Sequence, residues 1–128
     1  ENMSILDRER TIYMRVGQTF TYKESDNAHD LSGLLVYKDG VCESLAAMLV
    51  VAFREAGIPA IVVQGYGKKE AHRWSKVWID GKAYYVDVTW DMNKCKYGNH
   101  LKYFNLTSQQ MSKDHQMVDI FTNVPLDM

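Results

Sequence analysis

The chain has 128 residues, 46 % of them hydrophobic and 24 % charged, with 15 basic residues against 16 acidic ones. That balance fits one folded domain and excludes a disordered chain, because enough apolar surface exists to offset the entropy of ordering. A formal net charge of -1 without long single-sign runs excludes a global field toward nucleic acid or an anionic membrane, and no apolar stretch nears the roughly 20 residues of a membrane span.

The chain begins at Glu1 and not at Met, so it is expected to be a processed or excised segment that leaves room for additional domains in a larger protein. Residues 1–128 read as a single domain with its core over about 31–115. Ile5 to Val16 predicts a helix, with Ser4 as its cap, apolar residues at helical spacing, and Gly17 as its end. Thr19 to Tyr22 reads as extended, and Lys23 to Gly33 as a polar, turn-like stretch. Lys68-Lys69, the densest basic spot, reads as a solvated loop. Cys42 to Ala56 predicts a helix that is apolar on most faces and therefore buried and central, with Gly57 and Pro59 as stop signals. Ala60 to Tyr66 is β-branched and reads as a buried strand.

Two strand-like runs follow, His72 to Ile79 and Lys82 to Trp90, separated by Asp80-Gly81, a strong two-residue hairpin signal. Tyr103 to Leu106 predicts a short strand and Ser108 to Asp114 a helical turn, while the proline-bearing C-terminal residues show no firm pattern. Helices first and an antiparallel sheet afterwards make the fold class α+β.

With Asp80-Gly81 as the loop, Ile79 faces Lys82, Trp74 faces Asp87 and His72 faces Thr89. Side chains alternate along a strand, so His72, Trp74, Asp87 and Thr89 share one face and His72 and Asp87 become diagonal neighbours. An imidazole beside a carboxylate is an orienting pair: the carboxylate fixes the tautomer and stabilises the imidazolium. The same spacing also fits a polar rim at a strand end. Cys42 opens the central helix, where free backbone N–H groups and the helix dipole favour a thiolate. Gly40 permits a tight, left-handed turn before it. By itself Cys42 equally fits a small buried hydrophobe. Taken with the hairpin, Cys42, His72 and Asp87 supply a nucleophile, a base and an orienter.

The sequence resembles the transglutaminase-like superfamily, which has a papain-like core. The matching stretches are Gly40-Val41-Cys42-Glu43, Gly57-Ile58-Pro59-Ala60, Ala71-His72-Arg73-Trp74, Val86-Asp87-Val88-Thr89-Trp90-Asp91, and Tyr103-Phe104-Asn105-Leu106 with Met111-Ser112-Lys113-Asp114-His115. The resemblance implies a central nucleophile helix packed on an antiparallel sheet. It makes Cys42 the catalytic nucleophile, His72 the general base and acid, and Asp87 the residue that orients His72. Acyl transfer through a thioester on the cysteine follows, on a polypeptide substrate and without a metal or other cofactor. Peptide hydrolysis is the preferred outcome, with amide cross-linking, glycan removal from asparagine, or a non-catalytic binding module of a larger surface protein as alternatives. Arg73 and Ser75 depart from the family's usual residues around the tryptophan, as does Ser44-Leu45 after the cysteine, and the N-terminal helix is short.

The Cys42 backbone N–H is the first expected oxyanion donor, and by residue type Gln18 or Tyr22 is the second. Trp74 and Trp90, with Trp78, are candidate walls of a substrate cleft, although aromatics at strand spacing also belong in cores. Cys42 and Cys95 sit in unlike settings and are not expected to pair. Cys42, His72, Cys95, His100 and His115 lack the paired ligand spacing of a zinc site, and His29, His100 and His115 read as surface residues.

Overall fold

A computed structural model of the chain describes residues 3–98 and 100–121; Pro125 and the other final residues lie outside these. In chain order the elements are α1 (Ile5–Thr19), β1 (Thr21–Tyr22), α2 (Leu31–Tyr37), β2 (Asp39–Gly40), α3 (Cys42–Glu55), β3 (Ala60–Gly67), β4 (Glu70–Ile79), β5 (Lys82–Val86), α4 (Val88–Tyr97), α5 (Ser108–Met111) and β6 (His115–Phe121). The architecture is α+β, with a curled antiparallel sheet in the order β5-β4-β3-β6 and α3 packed on one face.

Helix α1 starts as its sequence directs, with Ser4 Oγ accepting from Asp7 N at 3.1 Å. It does not stop at Gly17 but runs to Thr19. Gly17 is there for close approach: a Cβ on it would lie 2.4 Å from the Cys95 sulfur of α4. The polar stretch expected over Lys23 to Gly33 ends sooner, because Asp30 Oδ1 caps the short helix α2 through Gly33 N at 2.8 Å.

Helix α3 is buried along most of its length, with Leu45, Leu49, Val50 and Phe53 fully enclosed. Each such side chain contributes roughly 1.5–3 kcal/mol of burial free energy. These residues join Val62, Val77, Ile79 and Val86 on the near face of the sheet. The opposite face carries a smaller cluster of Val63, Trp74, Tyr85, Tyr103 and Met111.

The hairpin register is the one that counting gives: Ile79 pairs with Lys82, and the ladder continues to Ser75 with Val86. Asp80 and Gly81 both have positive φ, 52° and 82°, as a type I′ turn requires. Lys68 and Lys69 form a second tight turn between β3 and β4, with φ of 50° and 73°. The run Lys82 to Trp90 is not one strand, however. It ends at Val86, and Asp87 caps α4, so Thr89 and Trp90 are helical. Tyr103 to Leu106 gives only an isolated bridge between Leu106 and Tyr85, and β6 adds an edge strand after α5. Among the described residues no helix is long and apolar enough to cross a membrane.

Candidate active site

Cys42 takes the first position of α3, preceded by Val41 in extended conformation. Helix geometry leaves the first N–H groups without intrahelical acceptors, so the sulfur sits in a field that favours an anion. Gly40 serves this start differently from the expected left-handed turn, since its φ is not positive. A Cβ there would meet Leu34 Cδ1 at 2.6 Å and Ser44 Oγ at 2.9 Å. Ser44, one of the departures from the family pattern, ties the helix start down. Its hydroxyl accepts from Val41 N at 3.2 Å and donates to Ala28 O at 2.5 Å.

His72 stands on β4, opposite Gly65 of β3. Asp87 follows the last residue of β5, where its Oδ1 accepts from Trp90 N at 3.3 Å to cap α4. The other carboxylate oxygen, Oδ2, lies 2.7 Å from His72 Nε2. Cys42 and His72 line the same cleft, and the imidazole acts on the thiol. With Nε2 committed to Asp87, Nδ1 is the ring nitrogen left to serve the sulfur. The three expected site residues are therefore brought into one neighbourhood: His72 is bonded to Asp87, and Cys42 lines the same cleft as His72.

The electrostatics follow from that geometry. Burial pushes the Cys42 thiol up, but the hydrogen bond and charge of His72 and the Arg73 backbone N–H outweigh it and hold the thiol below its ordinary value. Burial likewise opposes charge on His72, yet its bonds to Asp87 and Cys42 raise it to about 9. Asp87 is 1 % exposed. Burial alone would raise its carboxyl, but hydrogen bonds from His115 and then His72 hold it below the usual carboxylate range.

Aromatic rings fix the imidazole. Trp90 stacks on His72 at 4.9 Å between centroids and 21° between planes, and Trp74 lies at 5.8 Å on a 27° tilt. The two tryptophans differ in exposure: Trp74 is 2 % exposed and belongs to the far-side core, whereas Trp90 lines the groove beside Cys42. Trp78 is half-buried elsewhere on β4. Gly67 lets Trp90 and His72 sit this close, because a Cβ on it would lie 2.8 Å from the Trp90 ring and 3.1 Å from His72 Cδ2.

Cys42 opens into a cleft of about 430 Å³ lined by Tyr22, Glu24, His29, Glu43, Gln64 and Arg73, among others. Along its rim His29 bridges Glu24 at 2.6 Å and Glu43 at 2.9 Å, and Glu43 pairs with Arg73 at 3.1 Å. Of the two candidate oxyanion donors, Tyr22 lines the cleft on both sides of Cys42. Gln18 instead donates to Cys95 O at 3.1 Å, on the α1–α4 seam. Both cysteines are free, and Cys95 is buried beside Gly17.

Three residues were not legible as parts of this site. His115, expected at the surface, is 5 % exposed and places Nε2 at 2.7 Å from Asp87 Oδ2. Asp91, inside the matched Val-Thr-Trp-Asp stretch, accepts from Tyr13 OH at 2.8 Å and from the backbone of Lys102 and Tyr103 at 3.0 and 2.8 Å. It thereby holds the segment that carries Tyr103 against α1 and α4. Gly67 is the third. His29 and His100 are exposed as expected. His72, Asp87 and His115 offer ligand atoms within 4.8 Å of one another, the one such metal-capable group among the described residues. Their nitrogens lie at hydrogen-bond distance from one carboxylate oxygen, an arrangement suited to holding protons.

Comparison with known proteins agrees with this architecture. The family model described as the Transglutaminase-like superfamily matches residues 1–89, a span that includes Cys42, His72 and Asp87. No curated protein sequence matches the chain. Among solved structures, a crystal structure of a TGase superposes with a TM-score of 0.59 at 19 % identity, over 84 % of this chain and 30 % of that one. A candidate cysteine protease from Cytophaga hutchinsonii gives 0.57 at 21 % identity, over 63 % of this chain and 30 % of that one. Calcium-bound LapG of Legionella pneumophila gives 0.69 at 13 % identity, over 94 % of this chain and 67 % of that one. The chain thus spans under a third of the first two proteins' length.

Proposed function

The chain belongs to the transglutaminase-like superfamily, and on that premise we propose that it is a cysteine-dependent peptidase domain, cleaving polypeptide amides through a thioester on Cys42. The observation that supports this reading is the buried His72–Asp87 pair beside Cys42 at the wall of an open cleft. Residues 1–128 act as one domain of a longer protein.

In the mechanism, the Cys42 thiolate attacks the amide carbonyl carbon while the His72 imidazolium waits with its proton on Nδ1. The resulting oxyanion takes a hydrogen bond from the Cys42 backbone N–H at the helix start. Tyr22 is the second donor: burial and then the Cys42 charge raise its phenol above the ordinary value, so the hydroxyl stays protonated. His72 gives its proton to the leaving amine as the C–N bond breaks, which leaves a thioester and a neutral imidazole. The imidazole then takes a proton from water, whose oxygen displaces the sulfur and releases a carboxylic acid. Asp87 keeps the ring in one tautomer throughout.

Incubating a peptide library with the protein and with Cys42→Ala, and reading products by mass, tests this directly. Cleaved peptides with wild type alone support the reading. Cross-linked products with loss of ammonia would assign transglutamination, and no change in either sample would leave a binding module.

A further inference from the structure

The far side of Asp87 is occupied by a second histidine that the proposed mechanism does not use. His115 opens β6 and is 5 % exposed. Its Nε2 meets Asp87 Oδ2 at 2.7 Å, the same oxygen that His72 holds at the same distance. Its Nδ1 meets Asp114 Oδ1 at 2.8 Å, and the other oxygen of Asp114 accepts from Tyr103 OH at 2.6 Å. The ring is boxed by Trp90 at 4.3 Å and Trp74 at 4.7 Å.

We propose that His115 is a positioning residue for the reaction, which grips Asp87 from behind so that Oδ2 stays ionised and aimed at His72. The inference rests on the function proposed above. A carboxylate sealed from water needs strong donors or it takes up a proton, and a neutral Asp87 no longer stabilises an imidazolium. The Trp90 backbone N–H, at 3.3 Å from Oδ1, is a weak partner for a buried charge. His115 supplies the second close donor and also blocks rotation of the carboxylate away from His72. Asp114 and Tyr103 hold the His115 ring at its other nitrogen. A line of contacts therefore runs from the Tyr103 hydroxyl to the His72 ring, which stands beside Cys42.

The titratable groups facing Asp87 are His72 from β4, His115 from β6, Cys42 from α3, Tyr13 from α1 and Tyr103 from the segment before α5. Among the described residues, His115 and His72 are the ones that hydrogen-bond it through side chains. Loss of His115 thus weakens the ionised form of Asp87, then the His72 imidazolium, then the Cys42 thiolate.

The test is the pH dependence of Cys42 alkylation by iodoacetamide in wild type, His115→Phe and His115→Gln, with thermal melting as the fold control. Phenylalanine keeps the ring volume without a donor, and the glutamine amide restores one N–H near the Nε2 position. The acid limb in His115→Phe should move up by about one pH unit, a roughly tenfold slower reaction along that limb. His115→Gln should return most of the way to wild type. If His115→Phe does not fold, Asp114→Ala, at a side chain 23 % exposed, releases the ring from outside and should shift the limb in the same direction. A limb unmoved in the folded variant overturns the role of His115 alone. An ordinary thiol profile in wild type overturns the Cys42 reading and this inference together.

Discussion

Asp87 Oδ2 meets His72 Nε2 at 2.7 Å although the two residues never pair across the hairpin, because β5 stops at Val86 and Asp87 turns to cap α4. One side chain thus performs two tasks: one oxygen begins a helix and the other holds an imidazole. Replacing it with asparagine separates them. Asp87→Asn keeps an oxygen for the Trp90 N–H and should fold, but its amide reverses donor and acceptor toward His72. Peptide turnover should fall by roughly 10³- to 10⁴-fold, as expected when the orienting carboxylate of a triad is neutralised. Circular dichroism with single-turnover kinetics checks both halves; near-normal turnover in a folded variant would remove Asp87 from the mechanism.

The pH profile follows from the two shifted groups. The thiolate forms below the ordinary thiol range, and the imidazolium persists until about 9. Turnover should therefore hold across neutral pH and fall as pH rises through about 9, where His72 loses its proton. The same proton bears on stability. His72 is raised from 6.5, so its stabilising contribution is complete below about 6.5 and is lost as pH rises through about 9. Denaturant titrations at several pH values measure this, and in His72→Ala the decline over that interval should flatten.

Gly67 predicts a separation of activity from stability. An added methyl at this position would press on Trp90 and His72 at 2.8 and 3.1 Å. Trp90 is half-buried and can swing outward, so Gly67→Ala should shift the melting temperature little. The displaced imidazole should lower turnover by roughly 10- to 100-fold. A variant that melts normally and turns over normally would mean that the stack on His72 is unimportant.

Glu9 gives a test remote from the chemistry. It is fully buried in α1, where Oε1 accepts from Asn105 Nδ2 at 2.8 Å while its Oε2 and Asn105 Oδ1 have no donor. Burial, opposed by the Asn105 bond, raises its carboxyl from 4.5 to about 7. The folded state therefore binds a proton that the unfolded state releases. The contribution of Glu9 to stability is greatest below about 4.5 and declines as pH rises to about 7, on the order of 3 kcal/mol. Glu9→Gln, which keeps an oxygen to accept from Asn105 Nδ2 and adds an N–H for Asn105 Oδ1, should remove that slope in urea titrations. An unchanged slope would locate the pH dependence elsewhere.

Much of the site was written in local pattern. The Asp80-Gly81 pair fixed the hairpin register because both residues tolerate positive φ, and the helix from Cys42 was clear from its apolar content. Beyond Val86 local pattern points to a strand, because Val88, Thr89 and Trp90 favour strands individually, while Asp87 both caps α4 and holds His72, and only the second role shows in the hairpin spacing. The cap of α2 by Asp30 was available in the same way. The close approaches at Gly17, Gly40 and Gly67 depend on neighbours distant in sequence, as does the burial of His115, so composition alone carries no trace of them.

The central claim is that the Cys42 sulfur is a thiolate stabilised by His72. Titrating thiolate ultraviolet absorbance in wild type, His72→Ala and Cys42→Ala addresses it without a substrate. Cys95 stays silent, since burial and then the Asp91 charge push its thiol up to about 11. Wild type should show a Cys42 thiolate signal well below the ordinary thiol range, which moves up in His72→Ala and vanishes in Cys42→Ala. A wild-type curve that coincides with that of His72→Ala would contradict the account.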